Sequence, residues 1–193
     1  MHIYLASQSP RRQELLKQIQ VKFNLLLPDA SEDAEALEMV DLNERPLPYV
    51  KRLVRAKAQA AMERLRKRKL PIHPILVADT TVALGRQIFG KPQSRADHLR
   101  MLHCLAGNTH RVITGVGVVR AGQITEAISI SYVTFAALNR TQIQHYIDSG
   151  EGEGKAGGYA VQGVAAAFIP HISGSYSGIM GLPLAQTAML LKL

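Results

Sequence analysis

Residues 110–119 and 123–135 are two long stretches rich in Val, Ile and Thr, separated only by Ala121-Gly122. A link that short joins two strands as an antiparallel hairpin and as nothing else. The rest of the chain cannot repeat that pattern. HIYLA (2–6), FNLLL (23–27) and ILVAD (75–79) read as short strands, and helical periodicity lies between them at 10–19 and about 49–69. A strand, a helix and a strand in succession make a crossover. Hairpin and crossover spacing in one chain predict an α/β fold with a mixed sheet.

The punctuation agrees. Pro10 suits a first helical turn with Ser9 as its N-cap. Val50, Leu53, Val54, Ala58, Ala61 and Leu65 form the apolar stripe of the second helix, with Lys57 inside the stripe and Pro71 and Pro74 beyond its end. Residues 28–48, acidic and carrying three prolines, read as an irregular loop. After Asp79 a short hairpin turns at Gly85 and returns through QIF (87–89). Ser94 caps a helix at 95–105, and Asn139 opens another that Gly150 closes. A glycine-rich run, GEGEGKAGG, fills 150–158. AAAFIPHI then reads as a strand, and GLPLAQTAMLLKL as a turn and a terminal helix.

Length and composition bound the function classes. With 193 residues and 47% hydrophobic content, one domain over 1–193 can bury a sizeable core. The net charge of +8 asks for an anionic partner: nucleic acid, a phosphorylated metabolite or a membrane surface. Much of that charge lies between Lys51 and Lys69, where a solvated helix face explains it equally well. The single cysteine, Cys104, allows no internal disulfide and no cysteine-based zinc site, and its amphipathic setting reads as a structural thiol. MHIYLAS runs straight into polar residues, unlike a signal peptide, and no run approaches the about 18 apolar residues of a membrane span. The expectation is a cytoplasmic protein that does not enter a membrane. Seven histidines are scattered, and His98 and His103, five apart, lack metal spacing.

Four groups could carry chemistry. In LASQSPRRQELL (5–16), Arg11 and Arg12 oppose the positive end of a helix dipole unless something negative is held there. Free helix N–H groups, the guanidinium forks and the Ser7 and Ser9 hydroxyls would make a phosphate cradle; two solvated arginines are the alternative. No GxxxxGK[ST] and no strand-linked GxGxxG occurs. In VADTTV (77–82), Asp79 at a strand end could bind a cation or activate water, or bond to its own turn. Lys57 either snorkels or points across a cleft, and Lys91, held between Gly90 and Pro92, is either a positioned cation or a surface turn. In GKAGGYAVQG (154–163), the glycines permit close backbone approach, and Tyr159 and Gln162 could stack on a base and read its edge.

Those stretches resemble the Maf family, the septum-formation-inhibitor-like proteins. RLVRAKA (52–58), GKP (90–92), LAGNTHRVITGV (105–116), YIDSGEGEGKAGGYAVQG (146–163) and GSYSGIMGLPL (174–184) complete the set, in order and over nearly the whole chain. The resemblance implies an elongated mixed-sheet fold with a deep central cleft, similar to inosine-triphosphate pyrophosphatases. It implies hydrolysis of nucleoside triphosphates to monophosphate and pyrophosphate with a divalent metal, Mg²⁺ or Mn²⁺. Carried over, the catalytic aspartate is Asp79, an acidic partner on the metal is Glu32, and Arg11, Arg12, Lys57 and Lys91 hold phosphate. Arg12, Thr80 and Gln162 match the positions that sort base preference, in the pattern of the dTTP/UTP branch. A homodimer is compatible with the resemblance. Two other readings stand beside it: the same chemistry on 7-methyl-GTP or deaminated purine triphosphates, and a nucleic-acid-binding regulator of division. Few aromatics and dispersed basic groups argue against nucleic acid as the partner.

Overall fold

A computed structural model of the protein describes residues 2–29, 32 and 36–193. The strands are β1 (His2–Leu5), β2 (Lys22–Leu25), β3 (Ile75–Leu84), β4 (Gln87–Phe89), β5 (Thr109–Arg120), β6 (Gln123–Thr134) and β7 (His171–Ser173). The α-helices are α1 (Pro10–Gln18), α2 (Pro46–Lys67), α3 (Arg95–Leu105), α4 (Arg140–Asp148), α5 (Tyr176–Met180) and α6 (Leu184–Leu191). Together the strands make one mixed sheet in the order β2-β1-β3-β5-β6-β7, with β4 paired to β3 outside that path. β1 runs parallel to β2 and β3, and the remaining pairs are antiparallel. The β5–β6 ladder is continuous from Thr109↔Thr134 to Arg120↔Gln123. Ala121 (φ 47°) and Gly122 (φ 78°) close it, both in the left-handed region that twist-matched hairpin turns require.

Alternation along β3 divides its side chains between two layers. Ile75 and Val77 pack under α2 with Val50, Leu53, Val54 and Ile113. Gly115 and Gly117 of β5 let α2 settle onto the sheet: a Cβ at either would stand 2.6 or 2.8 Å from a Val54 methyl. Leu76 and Ala78 face the opposite layer, with Leu15 and Leu16 of α1 and Leu191 of α6. A third cluster gathers Phe89, Leu102, Leu105, Phe135, Ile143 and Tyr146 beneath α3 and α4. On the α2 side Asp79 follows Val77 in the alternation, and on the other side Thr80 follows Ala78.

Several expectations need correction. α2 begins at Pro46 rather than 49, with both prolines of that stretch in its first turn, where no intrahelical N–H donor is needed. β3 does not end at Asp79. It runs on to Leu84, pairing Asp79 with Gly115 and Thr80 with Thr114, because Thr80, Thr81 and Val82 suit a pleated ladder. The expected strand at AAAFIPHI is instead a 3₁₀ helix, Val164–Phe168, followed by the three residues of β7. An alanine run has little β preference. Ser9 precedes α1 without a side-chain capping bond, whereas Ser94 and Asn139 cap as expected. Among the described residues no helix is long and apolar enough to cross a membrane.

Candidate active site

The loop between β1 and α1, the middle of β3, the 90–91 turn, the glycine-rich loop and the α5–α6 junction line a cleft of about 580 Å³. That volume suits a small ligand rather than a water cluster. At the α1 end, Ser7 Oγ accepts from the Ser9 N–H (3.3 Å) and from Arg12 Nη1 (2.9 Å). With both acceptances made, its own proton is left to donate. Ser9 spends no side-chain bond on the helix end, so the first backbone N–H groups of α1 stay open for an anion. Arg11 is half-buried, and burial pushes its pKa down against the pull of Glu14 and Glu151. No side-chain hydrogen bond contributes to that shift. Arg12 differs: its Nε donates to the Gly181 carbonyl (2.8 Å) and its Nη2 to Thr80 Oγ1 (3.4 Å). Its guanidinium is therefore part of the cleft wall, with only part of its fork left for a ligand.

The acids and lysines meet on the α2 side. Lys57 Nζ stands 2.5 Å from Asp79 Oδ1 and 2.9 Å from Glu38 Oε1, and Lys91 Nζ stands 2.8 Å from Glu38 Oε2. Burial would raise the Glu38 pKa, but the two lysines outweigh it and hold the carboxyl below its usual range. The 3₁₀ turn Ala36–Glu38 is tied to α2 by Tyr49, whose hydroxyl donates to the Glu38 carbonyl (2.8 Å), and by Arg52, which reaches the Met39 carbonyl (2.8 Å).

Glu32 lies elsewhere. Arg64, two turns beyond Lys57 on α2, bonds its carboxylate at 2.9 and 2.6 Å, and that bond keeps its pKa low. Glu32 does not line the cleft, and Glu38 is the carboxylate that shares Lys57 with Asp79. Glu32 is joined to the cleft through Arg64, which lines it, and is not brought into contact with Asp79 among the described residues.

On the far wall, the glycine-rich loop is held by close contacts. Gly157 sits at φ 71°, its N–H bonds the Gly90 carbonyl (2.9 Å), and a Cβ there would stand 2.8 Å from Val82. Glu151 anchors the loop's other end, accepting from the Val164 N–H (2.6 Å), the Ala165 N–H (3.2 Å) and the Tyr146 hydroxyl (2.9 Å). Lys155 and Gln162 thereby line the cleft. Burial and the nearby Arg11 lower the Lys155 pKa. Two neighbouring cations facing one cavity favour an anion between them. Tyr159 also borders the cleft, but its hydroxyl bonds His110 Nε2 (2.8 Å) and its ring packs edge-on against Phe135. It is a core residue rather than a platform for a base.

The remaining sequence candidates resolve simply. His98 is buried, with Nε2 2.6 Å from the Gly158 carbonyl oxygen, and Cys104 packs beside the α3 core. Among the described residues no three His, Cys, Asp or Glu side chains cluster as a metal site. Four arginines of the basic stretch are ion-paired, Arg52 with Glu44, Arg55 with Glu126, Arg64 with Glu32 and Arg68 with Asp29. Sequence reasoning missed Glu38 and Lys155. Glu38 sits in an acidic loop with no periodicity to single it out. Lys155 stands inside the GKAGG run, directly after Gly154, and a lysine within a glycine-rich run was the available signal.

The cleft therefore offers two carboxylates at one wall and cations on every side, which suits a polyanion held with a hard cation. Comparison with known proteins agrees. The family model described as Maf-like protein matches residues 2–193. The chain is 59% identical over 190 residues to a dTTP/UTP pyrophosphatase of Albidiferax ferrireducens, covering 98% of this chain and 95% of that one. It is 60% identical over 191 residues to the dTTP/UTP pyrophosphatase of Ralstonia nicotianae, covering 98% and 92%. It is 56% identical over 191 residues to that of Cupriavidus pinatubonensis, covering 99% and 96%.

Proposed function

The chain belongs to the Maf family, and on that premise we propose that it hydrolyses dTTP and UTP to the nucleoside monophosphate and pyrophosphate. The observation that carries the reading is Lys57, whose ammonium joins Asp79 to Glu38 inside a cleft that Arg11, Arg12, Arg64, Lys91 and Lys155 also line. The relatives' names supply the substrates.

Phosphoryl chemistry needs charge neutralisation and positioning more than covalent help. Arg11, Lys91 and Lys155 hold the β- and γ-phosphates, with the Ser7 and Ser9 hydroxyls and the open end of α1 donating beside them. Asp79 orients a water toward the α-phosphorus and takes its proton. The bond from that phosphorus to the bridging oxygen breaks, and pyrophosphate leaves with the electron pair. Asp79 and Glu38 are the residues that would hold Mg²⁺ or Mn²⁺, because carboxylate oxygens supplemented by phosphate oxygens are the donors these ions take. Such an ion would neutralise charge on the phosphates. Lys57 keeps the two carboxylates together. Arg12, Thr80 and Gln162 face the base. The setting proposed is the cytoplasm.

The test is a hydrolysis panel of dTTP, UTP, CTP, 7-methyl-GTP and ITP with Mg²⁺ or Mn²⁺, with pyrophosphate and orthophosphate both quantified. Pyrophosphate mainly from dTTP and UTP is expected. Pyrophosphate mainly from 7-methyl-GTP or ITP would keep the chemistry and overturn the substrate. No pyrophosphate from any nucleotide would overturn the enzyme.

A further inference from the structure

The motif LAGNTHRVITGV is left unused by the chemistry above, yet its Thr114 is fully buried behind the cleft wall. Thr114 on β5 lies directly opposite Thr80 on β3. Its Oγ1 stands 2.7 Å from the Gly178 carbonyl oxygen. A carbonyl can only accept, so Thr114 is the donor in that bond. A hydroxyl has one proton. In the 3.0 Å contact between Thr80 Oγ1 and Thr114 Oγ1, Thr114 must then accept and Thr80 must donate. The single proton of Thr80 is thus spent inside the sheet. Arg12, itself fixed by Gly181 and Ser7, approaches the same oxygen as a further donor at 3.4 Å. What Thr80 has left for the cleft it lines is a lone pair.

We propose that Thr114 is a positioning residue for base selection: it locks Thr80 as an acceptor, which takes the N3–H of uracil or thymine and rejects the bare N3 of cytosine. The inference rests on the dTTP/UTP reading of the cleft and deepens it. A free threonine hydroxyl rotates to donate or accept and would tell the two bases apart poorly. A locked one cannot. Uracil and thymine carry a proton at N3, so acceptor meets donor. Cytosine carries a lone pair there, so acceptor meets acceptor and both are left unpaired, the arrangement from which hydrogen-bonding sites draw their strongest discrimination. Arg12 and Gly178 take part because they fix the two ends of the chain Arg12–Thr80–Thr114–Gly178.

The experiment compares the wild type, Thr114→Val and Thr114→Ser by kcat/KM on UTP, dTTP and CTP, read as pyrophosphate release. Thr114→Ser keeps the hydroxyl and should keep the wild-type UTP-to-CTP ratio. Thr114→Val frees the Thr80 proton and should lower that ratio by ~10-fold or more. Equal changes on UTP and CTP in Thr114→Val would overturn the proposal. A second measurement uses the wild type alone, so that a Thr114→Val protein that does not fold cannot stall the test. The N3–H of 5-fluoro-UTP is more acidic than that of UTP, so kcat/KM for 5-fluoro-UTP should fall at a lower pH than kcat/KM for UTP. Curves that fall together would overturn the proposal. The underlying reading fails separately: a wild type that releases no pyrophosphate from UTP or dTTP removes both, whereas one that takes UTP and CTP alike leaves the enzyme and removes the lock.

Discussion

Lys57 is the residue on which the site turns. It interrupts the apolar stripe of α2, and its ammonium reaches both Asp79 and Glu38. If Asp79 is the base, Asp79→Asn should lower kcat by ~10²-fold or more. Glu38→Gln and Glu32→Gln separate the two acids. Glu38→Gln should raise the metal concentration needed for half-maximal rate and lower turnover. Glu32→Gln should leave turnover near the wild type and cost on the order of 1–3 kcal/mol, because it weakens the partner of the buried Arg64 guanidinium. Metal titration and chemical denaturation of both variants check the pair, and the reverse pattern would restore Glu32 to the site. Asp79, Lys57 and Lys91 were legible because a polar group in an apolar pattern or a braced turn stands out. Glu38 was not, because nothing local marks one acid among several in an irregular loop, and only the fold shows which of them Lys57 meets.

At the scale of elements, the glycine-rich loop is held by close backbone contacts. Gly157→Ala places a Cβ against Val82 at a positive φ and should cost on the order of 1–3 kcal/mol. Because the loop carries Lys155 and Gln162, KM for the nucleotide should rise further than the stability loss explains. Thermal denaturation and steady-state kinetics of the same preparation test this, and a variant with altered Tm but unchanged KM would contradict it. The elements themselves were read well where their signals are strong: the β5–β6 hairpin, the bounds of α3 and the stripe of α2. The two errors that matter had physical causes. Pro46 and Pro48 look like breakers but are tolerated in a first turn, and the polar Asp79-Thr80-Thr81 looks like a strand end when β5 continues to pair with it. That second error concealed Thr114, which becomes visible only once β3 extends past Asp79 to meet it.

For the whole molecule, the sheet brings α1, β3 and the glycine-rich loop to one cavity from distant parts of the chain, so the cleft depends on global stability. His110 is a buried weak point in that stability. Burial pushes its pKa down from 6.5 to about 4, against the Asn108 carbonyl. The unfolded chain therefore binds more protons than the folded one between those values, and stability falls as pH drops from about 6.5 toward 4. The partly buried carboxyls with lowered pKa values, such as Glu38 and Glu151, add their loss only at pH values below the ordinary carboxylate range. The double variant His110→Phe, Tyr159→Phe removes both partners of the buried hydrogen bond. It should flatten the upper part of the acid profile, measured as denaturation midpoints between pH 7 and 5. An unchanged slope would assign that lability elsewhere.

In the proposed reaction water attacks the α-phosphorus. Hydrolysis of UTP in water enriched in oxygen-18, followed by mass analysis of both products, tests it most directly. The heavy oxygen should appear in the nucleoside monophosphate and be absent from pyrophosphate. Label in pyrophosphate, or release of orthophosphate instead, would contradict the account.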